Sequence, residues 1–227
     1  MHGKECQIMQ FPNYDKEIRQ ILPYYDSFHM ETINLIEAMN LNPKIWLDTG
    51  CGTGTFVEKA IRHFPDTRFI LADPSIDMLA EAKKKLSGAD RVKFLKPVST
   101  QDLSAENTGS FDVITAIQSH HYLSKDDRIK ATKVCYDLLN ENGVYVTFEN
   151  IRPLTEIGIK IGKGNWKSFQ LSRGRDKETV ENHLKRFDTI FFPLTVDQHL
   201  SILRGAGFKA VELLWYSYLQ AGFYCIK

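Results

Sequence analysis

The sequence predicts a doubly wound α/β fold of seven strands, the last of them reversed. Three observations predict it. Short apolar runs rich in branched and aromatic residues alternate with helix-like segments between residues 45 and 148, which is the rhythm of parallel strands joined by right-handed crossovers. Glycines follow the first run at alternate positions, Gly50, Gly52 and Gly54, and so mark a strand-to-helix turn that admits close approach to the backbone. The last two runs, 210–216 and 221–226, stand too close together for a crossover helix, so they must form an antiparallel hairpin.

In chain order, residues 1–43 read as one or two helices with a break at Pro23. Runs 45–47, 69–72, 92–95 and 111–117 follow as strands with helices between them. Ala131, Val134, Cys135, Leu138 and Leu139 share one helix face, and Asn142-Gly143 stops that helix before a fifth strand at 144–148. Residues 151–192 break the rhythm with Trp166, Phe169 and Phe187 and with an excess of cations that includes Arg152, Lys163, Arg175 and Arg186. After Pro193 a capping box at Thr195 and Gln198 opens a helix carrying Leu200 and Leu203, which ends at Gly205-Ala206-Gly207. The organisation expected is a single domain: a helical lid at 1–43, a binding core at 44–150, a helical insertion capping the substrate at 151–192, and at 193–227 the helix and hairpin that complete the sheet. Ligands of open α/β sheets sit beyond the carboxyl ends of the strands. The lid and the insertion are both placed to cover that edge.

A chain of 227 residues with 43% hydrophobic content can bury one substantial core. The formal net charge of +1 gives no whole-molecule attraction to nucleic acid. Cys6, Cys51, Cys135 and Cys225 are scattered without metal-ligand spacing, so neither a disulfide framework nor a metal is expected, and a cytoplasmic setting suits the chain. No apolar run approaches the roughly 18 residues of a membrane span.

The glycine segment, Asp48-Thr49-Gly50-Cys51-Gly52-Thr53-Gly54, selects among nucleotide ligands. It lacks the lysine of a triphosphate-binding loop. Its third glycine falls one residue early for the dinucleotide fingerprint, whose final small residue lets the helix press on the strand. An acid closing the strand, followed by alternating glycines, suits a nucleoside ligand with a cationic ammonium and no pyrophosphate. Asp73 closes the second strand in "FILADPS", where its two oxygens can accept from both hydroxyls of a ribose. That acid serves a nicotinamide cofactor or S-adenosylmethionine equally well.

Together, "LDTGCGTGTF", "LADPSIDMLAEAKKK", "FDVITAIQSHHYL" and the closing "LRGAGFKAVELLWYSYLQAGFYCIK" resemble the class I S-adenosylmethionine-dependent methyltransferases over roughly residues 14–227. The resemblance implies a Rossmann-like sheet with a reversed seventh strand, S-adenosyl-L-methionine as cofactor and S-adenosylhomocysteine as product. The ends of the chain are most similar to the branch that contains carboxy-S-adenosylmethionine synthase. On that resemblance Tyr25 in "LPYYDSF" lies near the methionine carboxylate, Gly50, Cys51 and Gly52 form the loop, and Asp73 with Pro74 meets the ribose. Ser99 and Thr100 stand where that branch has an Asp-Ile pair beside adenine, Ile117 or Ala116 where it has an asparagine, and Arg186 nearest its carboxylate-binding arginine.

The cofactor contacts expected are therefore Tyr25, Asp48, Gly50, Cys51, Gly52, Gly54, Asp73, Pro74, Ser99, Thr100 and Ile117. His120 and His121 follow the fourth strand, where a histidine can take a proton from an attacking hydroxyl, amine or thiol; Glu149, closing the fifth, has a similar position. The expected activity is methyl transfer to a small-molecule acceptor by a monomer or homodimer. The alternatives are a transfer RNA modification enzyme resembling carboxy-S-adenosylmethionine synthase, and a non-catalytic cofactor-binding partner subunit. The basic insertion keeps transfer RNA open as a partner. DNA is disfavoured, because no N-P-P-Y-like run and no Pro-Cys nucleophile is present.

Overall fold

The computed structural model describes residues 14–227; Cys6 and residues 1–13 of the expected lid lie outside them. The strands are β1 (Ile45–Thr49), β2 (Arg68–Ala72), β3 (Val92–Phe94), β4 (Phe111–Ile117), β5 (Leu139–Asn150), β6 (Ala210–Ser217) and β7 (Gln220–Ile226). Among the described residues they form one sheet in the order β3-β2-β1-β4-β5-β7-β6. β1 to β5 pair in parallel, and β7 runs antiparallel to both β5 and β6. The doubly wound sheet with one reversed strand, anticipated from the short final connection, is what the chain forms.

The crossover helices are α3 (Thr55–His63), α4 (Ile76–Lys85), the single turn α5 (Ala105–Thr108) and α6 (Lys125–Leu138). Ser75 and Ser124 cap α4 and α6 by accepting from the backbone N–H groups of Met78 and Asp127, which satisfies donors that a helix start leaves open. Strand alternation splits the apolar residues between the two faces. Trp46, Phe69, Leu71, Val113 and Phe148 enter one core with Phe56 of α3 and Phe64 just beyond its end, while Leu47, Ile70, Ile114, Tyr145 and Phe223 enter the other with Cys135 and Leu138 of α6.

One boundary differs from expectation. α6 ends at Leu138, and Leu139 already pairs with Phe111 in the sheet. The bend comes at Asn142, whose φ is 62° and whose N–H donates to the Lys227 carbonyl at 3.1 Å. Sheet pairing thus takes the last residue of the helical stripe.

Outside the alternation lie α1 (Tyr14–Ile21) and α2 (Tyr25–Ala38), interrupted at Pro23, and α7 (Glu156–Ser172) and α8 (Lys177–Leu184) of the insertion. Phe28 of α2 stacks on Phe148 of β5 with ring centroids 4.9 Å apart. The Trp166 indole N–H of α7 donates to the Ile21 carbonyl at 2.6 Å, which joins the insertion to the amino-terminal helices. The remaining helix, α9 (Val196–Ala206), starts with the expected capping box and stops at Gly207. Among the described residues no helix is long and apolar enough to cross a membrane.

Candidate functional site

The turn after β1 is held open by its glycines. Gly50, Gly52 and Gly54 have φ of 66°, 52° and 76°, a region that L side chains rarely enter. A Cβ on Gly50 would also fall 2.3 Å from the Ser119 Cβ, so the turns after β1 and β4 meet only because that residue has no side chain. The Cys51 N–H donates to the Ala72 carbonyl at 3.0 Å and fastens the loop to the end of β2.

That attachment places Asp73 beside the loop. Its Oδ2 accepts from the Gly52 N–H at 2.9 Å and its Oδ1 from the Ser75 N–H at 2.8 Å. Each oxygen keeps a further lone pair, so the carboxylate is oriented by backbone and still able to accept from two hydroxyls. Burial raises its pKa above the usual carboxylate value, against the opposing pull of the Ser75 and Gly52 amides. Pro74, next in the chain, is exposed.

Asp48 lies on the face of Trp46. The Trp46 indole N–H donates to the Thr115 hydroxyl at 3.1 Å, which donates to Asp48 Oδ1 at 2.7 Å. Burial drives the Asp48 carboxyl up to about 7; the Thr115 hydrogen bond opposes the rise and the charge of Asp73 adds to it. A buried acid of this kind, short of positive partners, is matched to a ligand ammonium. Cys51 is buried beside both acids, and burial first, then Asp48 and Asp73, pushes its thiol well above the ordinary value, leaving it protonated at neutral pH. Tyr25 stands in the same field: burial, then Asp15, with Asp48 contributing, raises its phenol far above normal. Asp48, Asp73, Cys51, Tyr25 and the three glycines are therefore brought together at the carboxyl edge of the sheet. They fit a nucleoside with a cationic head.

The residues after β3 and β4 divide. Ser99 and Ile117 are half-buried at the edge. Thr100 turns inward, with its hydroxyl 2.7 Å from the Thr49 hydroxyl and 3.0 Å from His120 Nε2. His120 Nδ1 is 3.2 Å from the Tyr145 hydroxyl. Both ring nitrogens of His120 are thus engaged inside the molecule, and burial lowers its pKa to about 4. No nitrogen of His120 is left for a substrate proton.

His121 has different partners. Its Nδ1 lies 3.1 Å from Glu149 Oε2, and Glu149 Oε1 accepts from the Thr147 hydroxyl at 2.7 Å. Burial works to raise the Glu149 carboxyl, but the His121 hydrogen bond and the charges of His121, His120 and Arg128 outweigh it and hold the group at about 2. A histidine with one nitrogen fixed by a carboxylate has its second nitrogen oriented for proton transfer. The Phe192 N–H donates to the His121 carbonyl at 2.7 Å and binds the end of the insertion to this segment.

Two features of the site, at Gln118 and Asp15, carried no signal in the sequence. Gln118, directly after β4, holds a left-handed backbone at φ 55° and a buried side-chain amide nitrogen without a partner. Asp15 of α1 accepts from the Thr53 and Thr55 hydroxyls at 2.6 and 2.9 Å and from Lys85 at 2.5 Å, which latches the amino-terminal helix to the glycine loop. Arg19 makes two hydrogen bonds to Asp26 at 2.8 and 2.9 Å and is committed to that pair. Arg186 is 6% exposed, its Nε has no partner, and its guanidinium lies 5.6 Å above the Phe191 ring. Among the described residues no carboxylate lies within ion-pair distance of it. Three other insertion cations are occupied: Arg152 pairs with Asp188, Lys167 with Glu181, and Lys163 sits over the Phe187 ring.

The family model described as "Methyltransferase domain" matches residues 47–145. Among curated relatives, the carboxy-S-adenosyl-L-methionine synthase of Trichodesmium erythraeum (strain IMS101) is 24% identical over 205 residues, covering 88% of this chain and 79% of its own length. The same-named protein of Helicobacter pylori (strain Shi470) is 23% identical over 210 residues, with coverages of 89% and 85%. Among solved structures, a putative O-methyltransferase from Nostoc punctiforme PCC 73102 superposes with a TM-score of 0.68 at 16% identity over 96% of this chain. Human N-acetylserotonin methyltransferase, in complex with S-adenosylmethionine, does so with a TM-score of 0.60 at 12% identity over 99%. The chain spans 60% of the length of each of these two structures. The chain has the class I S-adenosylmethionine-dependent methyltransferase-like fold, recurrently similar to carboxy-S-adenosylmethionine synthases at low identity, and the cofactor this fold implies is S-adenosyl-L-methionine.

Proposed function

We propose that this protein is an S-adenosylmethionine-using enzyme that acts with a small carboxylic acid, in the manner its curated relatives' name describes: it builds carboxy-S-adenosylmethionine. The observation that carries this reading is Arg186, a buried guanidinium with no acidic partner among the described residues. A buried cation without compensation is costly, and a carboxylate with its two oxygens matches the planar fork of arginine.

Bound, the cofactor supplies a sulfonium methyl whose C–H bonds are acidified by the adjacent positive sulfur. Asp73 holds the ribose hydroxyls, Asp48 the ammonium, and the Gly50–Gly54 turn gives the nucleoside room. Arg186 holds the carboxylate of the co-substrate. His121, oriented by Glu149, would take the proton lost by the sulfonium methyl and return it to the co-substrate: the acid's carboxyl C–C bond would break to release carbon dioxide, the methyl carbon would gain that carboxyl through a new C–C bond, and the acid's residue would leave with a C–H bond in its place. The amino-terminal helices and the insertion form the lid and cap that exclude water.

A second reading, methyl transfer to a small hydroxyl, amine or thiol acceptor, is favoured by the same His121–Glu149 pair, which can take the acceptor's proton as it attacks. Incubation with S-adenosylmethionine and a metabolite extract, followed by mass spectrometry, separates the two. A nucleoside heavier by one carboxyl group supports the first; S-adenosylhomocysteine with a methylated metabolite supports the second. Neither product, with the cofactor bound, overturns both.

A further inference from the structure

Behind Glu149, between β5, α6 and α9, lies a cavity of about 10 Å³ lined by His120, Arg128, Tyr145, Thr147, Glu149 and His199. The room is that of one water molecule. Two of the lining residues present buried polar atoms without a protein partner, Arg128 Nη1 and His199 Nε2. Both residues are deep in the interior, at 2% and 4% exposure. The other Arg128 nitrogens are engaged, Nε donating to the His120 carbonyl at 3.0 Å and Nη2 to the Phe192 carbonyl at 2.7 Å, and the His199 ring is held by stacking on Phe223 with centroids 5.2 Å apart. Buried polar atoms in native proteins are paired, by ordered water where protein does not reach.

We propose that one internal water occupies this cavity and joins Arg128 and His199 to Glu149, so that both act as positioning residues for the His121–Glu149 pair. The guanidinium and the water stabilise Glu149 as the anion, and so moderate how strongly Glu149 holds a proton on His121. The charged and titratable groups facing the pair are His120, Arg128, Tyr145 and His199, with Arg186 bearing on His121 from the insertion. This inference rests on the reading of His121 as the working base.

The water is tested directly by a high-resolution crystal structure of the full chain. A single water within hydrogen-bond distance of Arg128 Nη1 and His199 Nε2 is expected; a dry cavity, or a halide there, overturns the proposal. The coupling is tested by NMR titration of the His121 ring with S-adenosylhomocysteine bound. His199→Phe keeps a ring on Phe223 and removes the nitrogen, so the water should be lost and the His121 midpoint should rise by about half a unit or more. Arg128→Met should raise it by about one unit. If Arg128→Met does not fold, His199→Phe decides; an unchanged His121 midpoint in a folded variant sinks the proposal. The titration needs no turnover, so a shifted midpoint in a protein that makes no product condemns the proposed activity and leaves this coupling standing.

Discussion

Replacing Asp48 with asparagine should stabilise the cofactor-free protein while weakening its hold on S-adenosylmethionine. Burial moves this carboxyl from 3.8 to about 7, so ionising it in the folded state costs about 4 kcal/mol relative to the unfolded chain. The sign follows from the raised value: the folded state binds the proton more tightly, so the contribution is fully present below the unfolded pKa and is lost as pH rises through the folded one. Asparagine keeps an acceptor for the Thr115 hydroxyl and carries no charge. The variant's advantage should therefore be small near pH 4, grow to about pH 7 and stay level above it. Between about pH 5 and pH 8 the gap should widen by about 2 to 3 kcal/mol, or roughly 5 to 10 °C in melting temperature for a chain of this size. Calorimetric titration should show the cost, a loss of about 10- to 100-fold in affinity as the ammonium loses its charged partner. Thermal melts of both proteins across this pH range, without ligand, decide the matter. A variant no more stable than the parent at pH 8, or an advantage that does not shrink toward acid, refutes the reasoning.

Asp73→Ala removes the acceptor that the Gly52 and Ser75 amides orient, and should weaken S-adenosylhomocysteine by about 2 to 3 kcal/mol; unchanged affinity by calorimetry would remove the assigned ribose contact. Gly50→Ala forces a Cβ to 2.3 Å from Ser119 and should destabilise the protein by about 2 kcal/mol or more, with Ser119→Gly restoring part of the loss; no rescue in denaturant melts would mean that backbone strain alone is at fault. Arg186→Ala should abolish formation of a carboxylated nucleoside while leaving S-adenosylhomocysteine affinity intact, whereas undiminished product would show that another group holds the acid. Asp15→Ala unlatches α1 from Thr53, Thr55 and Lys85, so amide exchange should speed up in α1 and not in β1 or β4; equal protection in both proteins would count against a latch.

Much of this architecture is legible in the linear order of residues. Alternation of 69–72 and 111–117, the capping box at Thr195 and Gln198 and the short link before 220 are local signals, and each fixes an element or a connection without reference to the rest of the chain. Glycines at alternate positions with an acid on either side name a nucleoside site for the same reason: backbone freedom and charge belong to single residues. The end of α6 was less legible, because Leu139 satisfies a helical stripe and a strand equally, and only its pairing with Phe111 selects the strand.

By itself, then, the sequence determined the sheet, its reversed final strand and the loop and acid that imply the cofactor. Tertiary structure decided which side chains at the sheet edge remain available for chemistry. His120 and His121 are neighbours of the same type, yet one has both nitrogens absorbed by Thr100 and Tyr145 while the other meets Glu149 from the next strand. Likewise Arg152 and Arg186 are equivalent cations in the chain, but only the second is buried away from every described carboxylate. The physical reason is that a hydrogen bond or an ion pair depends on which distant residue the fold brings within about 3 to 4 Å, and no local pattern along the chain encodes that distance.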